Sequence, residues 1–112
     1  MAETGWLFPL KDVEATLPDE TVAMRFQYAF RRGTMKLGLY APRTGDIQTP
    51  HTQDELYIVV SGSGAFLKGG ERRPFAVHDV IFVEAGAEHR FVDVTDDFSA
   101  WVVFWGPEGG EG

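Results

Sequence analysis

Hydrophobic and polar residues alternate with a period of two along most of this chain. In residues 25–31, Phe26, Tyr28 and Phe30 alternate with polar side chains, which is the pattern of a half-buried β-strand. Similar short runs follow, with glycines between several of them. We predict about eight short strands, the first within 22–31 and the others at residues 35–41, 56–60, 65–68, 71–75, 80–83, 91–94 and 100–105.

The N-terminal part departs from this period. Leu10, Val13 and Leu17 recur at helical spacing and Pro18 follows them, so one or two helical turns are predicted there. Gly69-Gly70, between two strand-like runs, predicts a hairpin turn with positive φ angles. Short strands with regular turn signals indicate a sandwich or a small barrel. We therefore divide the chain into an N-terminal arm (1–20), a β-domain (21–105) and a flexible tail (106–112).

Composition narrows the functional classes. A chain of 112 residues is one domain in size. Its net charge of −7 argues against a nucleic-acid partner, and the lack of cysteine excludes a disulfide framework and thiolate ligands. The start does not resemble a signal peptide, and no apolar run approaches the roughly 20 residues that cross a bilayer. We expect a cytoplasmic protein without a membrane partner.

Candidate chemistry is concentrated in His51, Glu55 and His89. Residues four apart share a face in a strand as they do in a helix, but Pro50 and the apolar run after Glu55 favour a strand for the first pair. His89 follows a turn at residues 84–88 and begins another apolar run. Two imidazoles and a carboxylate form a set of ligands for a divalent metal ion.

The same residues resemble the two sequence motifs of the cupin family. His51, Glu55 and Gly62 fit the first motif, G-x5-H-x-H-x3-E-x6-G, and Gly86 and His89 fit the second, G-x5-P-x-G-x2-H-x3-N. The departures are Arg43 for the first motif's glycine, Thr49 for its first histidine, His78 for the second motif's glycine, Glu84 for its proline and Asp93 for its asparagine. The resemblance extends from about residue 35 to residue 105. It implies an all-β, cupin-type jelly-roll barrel, which the pattern alone does not distinguish from other β-barrels.

The resemblance also implies a metal site. The family's full set is three histidines and a glutamate, of which this chain keeps two histidines and the glutamate. The remaining set matches the 2-His-1-carboxylate pattern of Fe(II) oxygenases, while Zn, Mn, Ni and Cu fit as well. Gln48 is the first candidate for a fourth ligand, and Gln53 and Thr49 are alternatives.

Two residues are candidate proton carriers. Tyr57 shares a strand face with Glu55, and Glu84 lies in the turn before His89, near the expected barrel mouth. An aromatic wall of Tyr40, Tyr57, Phe91 and Trp101 either binds a small, partly apolar ligand or fills the barrel.

We therefore expect a metal-dependent oxygenase, isomerase or lyase with a small-molecule substrate. The alternatives are a non-catalytic binding or sensing module, and a barrel with a decayed metal site. Leu56, Ile58 and Val60 occupy the strand face opposite Glu55. An apolar outer stripe of this kind predicts a homodimer.

Overall fold

The computed structural model describes residues 5–46 and 49–112. Within these ranges the chain forms one short helix and two antiparallel sheets, which confirms the all-β prediction. In chain order the elements are α1 (Leu10–Glu14), β1 (Phe26–Arg32), β2 (Met35–Tyr40), β3 (Asp54–Ser61), β4 (Gly64–Lys68), β5 (Glu71–Phe75), β6 (Val80–Val83), β7 (His89–Val92) and β8 (Ser99–Trp105).

The two sheets enclose a common core. The larger sheet has the strand order β1-β2-β8-β3-β6, and the smaller has the order β5-β4-β7. Their inner faces bury an aromatic cluster in which Phe91 contacts the rings of Tyr57, Phe66, Phe75 and Phe98. The pairs of Phe91 with Tyr57, Phe66 and Phe75 are edge-to-face, and such pairs contribute about 0.5–1.5 kcal/mol each beyond the buried area.

Alternation along β3 places its chemistry inside the barrel. Glu55, Tyr57 and Val59 are buried, whereas Leu56 and Ile58 are only partly buried on the opposite face. The predicted strand face is therefore confirmed.

The N-terminal arm covers part of the outer face of the larger sheet. Val13 of α1 is buried against Leu39 of β2, and Trp101 of β8 packs on the same cluster. Trp101 was predicted in the inner aromatic wall, and that prediction is wrong. Its neighbour Val102 takes the inner position, because successive residues of a strand face opposite sides.

A β-bulge changes the alternation in β1. Tyr28 pairs with Gly38 but Phe30 pairs with Leu37, so Ala29 is the extra residue. The strict alternation predicted for β1 is therefore wrong after Tyr28, since a bulge moves the following side chains to the other face. Phe30 lies on the outer side, with its ring centroid 5.2 Å from that of Phe8 in the arm.

The turns and the tail complete the barrel. Gly69 and Gly70 have φ angles of 57° and 82°, which confirms the predicted hairpin turn. In the tail, the Gly109 N–H donates to the Thr52 carbonyl at 2.7 Å, so the tail contacts the segment that leads into β3. Among the described residues, no helix is long and apolar enough to span a bilayer.

Candidate metal centre

The structure brings His51, Glu55 and His89 together. Glu55 is the second residue of β3, His51 precedes that strand, and His89 is the first residue of β7. His89 Nε2 lies 3.0 Å from Glu55 Oε1, and His51 Nε2 lies 3.7 Å from Glu55 Oε2. One potential ligand atom from each residue lies within 4.8 Å of the other two. This spacing is compatible with three ligands converging on one ion.

Glu55 provides the strongest test of whether the site fits a metal. Its side chain is completely buried, and neither carboxylate oxygen accepts a well-aligned hydrogen bond from a described residue. A buried carboxylate is costly unless it is paired or coordinated. A divalent cation would supply the missing partner, and two imidazole nitrogens with one carboxylate suit a transition-metal ion. The residues therefore fit a metal.

Hydrogen bonding fixes the orientation of His89. Its Nδ1 lies 2.9 Å from the Ala87 carbonyl, which can only accept, so Nδ1 carries a proton and donates. In the neutral imidazole the lone pair is then on Nε2, the atom that faces Glu55. The hydroxyl oxygen of Tyr57 lies 3.3 Å from the same Nε2. Tyr57 is therefore next to the ligand set, on the strand that carries Glu55.

The turn before His89 is hydrogen-bonded to the segment that carries the other two candidate ligands. The Ala85 N–H donates to Asp54 Oδ1 at 2.9 Å, and the Gly86 N–H donates to the His51 carbonyl at 2.8 Å. Hydrogen bonds from the backbone N–H groups of Glu111 and Ala85 hold the pKa of Asp54 below its usual value. Asp54 thus remains an anionic acceptor that helps to position the turn.

The two imidazoles titrate in opposite directions. Burial lowers the pKa of His51 below its usual value, so this ring is mainly neutral at pH 7. Burial alone would also lower the pKa of His89, but contact with the Glu55 carboxylate and the Ala87 carbonyl outweighs it and raises that pKa. Of the two candidate histidine ligands, His89 is therefore the one at which a proton would compete more strongly with a metal ion.

Asp46 also lies near the site, although the sequence analysis did not identify it. It accepts hydrogen bonds of 2.6 Å from the Tyr40 hydroxyl and from the Phe91 N–H. Burial, together with this hydrogen bond to Asp46, raises the pKa of Tyr40. The charge of Asp46 also favours protonation of His51 and His89. Its only sequence signal was an Asp after Gly45, which usually indicates a turn.

The structure does not bring Glu84 into the site. Its carboxylate is 2.7 Å from Lys68 Nζ, and its side chain is 56% exposed. The side-chain hydrogen bond from Lys68 holds the pKa of Glu84 below its usual value. Glu84 follows the last residue of β6 and points away from the ligand set, toward Lys68 on β4.

The candidates for a fourth ligand have different positions. Gln53 is buried, and its amide nitrogen donates to the carbonyls of Thr34 and Gly106 at 2.9 and 2.8 Å. Thr49 is exposed. Gln48 lies outside the described residues.

A cavity of about 260 Å³ adjoins the ligand set. His51 and Tyr57 line it directly, and Phe104 forms part of its wall, with its ring centroid 5.2 Å from that of His51. The other described lining residues are Met24, Phe26, Tyr28, Lys36, Tyr40, Thr52, Gln53 and Val102. The predicted aromatic wall is therefore present in part, with Tyr40 and Tyr57 lining the cavity and Phe91 buried in the core beneath.

Comparisons with known proteins agree with this architecture. The family model of the cupin domain matches residues 37–105. An uncharacterized protein of Streptomyces coelicolor is 44% identical over 80 residues, which cover 70% of this chain and 76% of that protein. The structure of a cupin 2 conserved barrel domain protein from Salinispora arenicola matches with a TM-score of 0.69 and 25% identity. The match covers 92% of this chain and 90% of the Salinispora chain. KdgF from Halomonas sp. has a TM-score of 0.73 and 19% identity, with coverages of 94% and 96%, and shows likeness of fold alone.

Proposed function

Because this chain belongs to the cupin family, we propose that it is a metal-dependent enzyme that acts on a small oxygenated molecule. The convergence of His51, Glu55 and His89 beside a cavity carries this proposal. Three protein ligands leave coordination positions for water or substrate, as catalytic metal sites require. The completely buried Glu55 supports it further, since a cation would compensate its charge.

The residues around the cavity would have different roles in such a reaction. His51, Glu55 and His89 would hold the ion, which when bound supplies Lewis acidity toward an oxygen of the substrate. Tyr57, whose hydroxyl is 3.3 Å from His89 Nε2, would carry a proton to or from that substrate. Tyr40 and Phe104 would restrict how the substrate lies in the cavity.

Proton transfer makes an isomerase or a lyase the first choice of reaction class. The observation behind this choice is the hydroxyl of Tyr57 beside the ligand set. An oxygenase is the alternative for an iron-loaded site, because the ligand set is the 2-His-1-carboxylate pattern. A barrel that binds its ligand without turnover is the second candidate function. The position of Glu84 favours that candidate, because it removes one of the two predicted proton carriers from the site.

Elemental analysis of protein purified without a metal-affinity step tests the metal site. We expect close to one divalent ion per chain in the wild type, and loss of that ion in the His89→Ala variant. His78→Asn is the matched control, because His78 is exposed and its positive φ of 79° is tolerated by asparagine. It should keep the ion.

The melting temperature with and without a chelator, and metal uptake on reconstitution, complete this experiment. A chelator should lower the melting temperature of the wild type, because a ligand bound to the folded state at 100 times its Kd contributes about 2.7 kcal/mol. Absence of metal in the wild type, with no uptake on reconstitution, would contradict the proposal.

A further inference from the structure

One lysine points into the barrel. Tyr40 of β2 lies in the inner core and Leu39 lies in the outer cluster. Lys36 is four residues before Tyr40 on the same strand, so it shares the inner face. It is partly buried and lines the cavity beside the metal centre. It is the one formally charged side chain among the described lining residues. Lysine is almost never fully buried without a partner.

Lys36 has no acidic partner in the described part of the chain. Its ammonium makes no salt bridge there and contacts the ring of Phe104, with 5.5 Å from Nζ to the ring centroid. The chain carries 17 acidic residues and a net charge of −7, so carboxylates are plentiful elsewhere. A cation in the cavity of an acidic protein, with no acidic partner among the described residues, is suited to an anion from outside the chain.

Strand register relates Lys36 to the metal centre. Lys36 pairs with Phe104 across β2 and β8, and Phe104 pairs with Glu55 across β8 and β3. Neighbouring strands are about 4.8 Å apart, so the backbones of Lys36 and Glu55 are separated by roughly 10 Å. Phe104 lies between them and contacts both the Lys36 ammonium and the His51 ring. The cavity therefore has a ligand set at one end and a cation at the other.

We propose that Lys36 forms a subsite for a carboxylate, and that the ligand of this cavity is a small acid with a second oxygen donor at its other end. The metal end of this arrangement rests on the proposed function above. Lysine binds anions as a point charge, whereas phosphate groups are usually held by several converging donors or by arginine forks. A single ammonium in a cavity of about 260 Å³ fits a small carboxylate better than a phosphate ester.

Succinate and its neutral diamide, succinamide, test this subsite. They have nearly the same size and an oxygen donor at each end, but only succinate carries a carboxylate. We would measure both affinities by calorimetry for zinc-loaded wild type, Lys36→Met and Lys11→Met. Lys11 is exposed on α1, away from the cavity lining, and serves as the matched control. Lys36→Met should weaken succinate binding about tenfold, the range for a hydrogen bond to a charged group, and leave the binding of succinamide unchanged. Lys11→Met should change neither.

The remaining outcomes separate this proposal from the metal site. Lys36→Arg keeps the charge and should keep the preference for succinate, so a folding defect in Lys36→Met would not hide the answer. Unchanged succinate affinity in Lys36→Met, or no succinate binding by the zinc-loaded wild type, would overturn the subsite while normal zinc uptake leaves the metal proposal intact. Failure of the wild type to take up zinc would overturn the metal proposal instead. In that case the effect of Lys36→Met on succinate affinity would be measured with the metal-free protein.

Discussion

At the scale of single residues, the buried carboxylate of Glu55 is the main reason to expect a cation at the candidate metal centre. It lies in the interior of β3, paired with Val83 on one side and Phe104 on the other, so the backbone that carries it is fixed by two strands. A buried carboxylate held in this way costs folding free energy, which coordination of a cation would offset. The backbone that carries Glu55 would therefore already be in position when an ion binds.

The opposite pKa shifts of the two histidines predict how metal binding depends on pH. The raised pKa of His89 means that this ring must lose a proton before Nε2 can coordinate, whereas His51 is already mainly neutral at pH 7. Apparent affinity should therefore increase with pH through the raised His89 pKa, by up to about tenfold per pH unit below it. Calorimetry in buffers of different ionisation enthalpy should show protons released on binding at pH 7.

Stability of the metal-free protein should change in the reverse direction. Because the folded-state pKa of His89 is above its unfolded value, protonated His89 contributes stability below the unfolded pKa of about 6.5, and this contribution is lost as pH rises through the folded pKa. Urea titrations of chelated protein across that range measure it. A metal affinity that does not vary with pH from 6 to 8 would contradict the assigned role of His89.

Sequence reasoning identified some residues of the site and missed others for a physical reason. His51, Glu55 and His89 are residue types that bind divalent metals, and their spacing resembles a known motif. They could therefore be chosen as candidate ligands before the fold was known. Asp46 and Lys36 carry no such signal. Their positions depend on the course of a loop and on which face of β2 points inward, and both are properties of the folded chain.

At the scale of the elements, the close packing of the turn after β3 leaves no room for a side chain at Gly62. Gly62, after β3, has a φ of 80°, and a Cβ there would lie 2.7 Å from the Cα of Phe98. Gly70 in the β4–β5 turn has nearly the same φ, 82°, but a Cβ there would meet no atom within 4 Å. Both positions penalise a side chain through the backbone, and only Gly62 adds a clash with the main chain.

We therefore expect Gly62→Ala to destabilise the fold by about 1–3 kcal/mol more than Gly70→Ala. Comparing the free energies of unfolding of the two variants by urea titration cancels the shared cost of the positive φ. Equal losses in the two variants would show that backbone conformation alone explains the glycine at position 62.

The strands and the hairpin turn could be predicted from the sequence, but the β-bulge in β1 could not. Alternation and glycine punctuation predicted the strands and the Gly69-Gly70 turn, because each depends on nearby residues. The bulge at Ala29 was not predictable, since Phe26, Tyr28 and Phe30 keep an unbroken alternation in sequence. The bulge is instead set by pairing with β2 and by contact of Phe30 with Phe8 in the arm.

At the scale of the whole molecule, the outer face of the larger sheet is only partly covered. The arm packs over Leu39 and Trp101, toward the β2 side of the sheet. Toward the β6 edge, Leu56 pairs with Phe82 and Ile58 pairs with Val80, so these four apolar side chains share the outer face. Val80 and Phe82 are 58% and 47% exposed. We call these four residues the outer apolar patch.

The outer apolar patch carries the prediction of a homodimer, because contiguous apolar surface usually marks an interface. We expect the wild type to have the mass of two chains by size-exclusion chromatography with light scattering. Phe82→Glu should shift it toward the monomer, since a charge placed in an apolar interface must be desolvated. Val22→Glu is the control, because Val22 is similarly exposed, at 42%, in the loop before β1. A wild type that is monomeric at all concentrations measured, or equal dissociation in both variants, would contradict an interface at this patch.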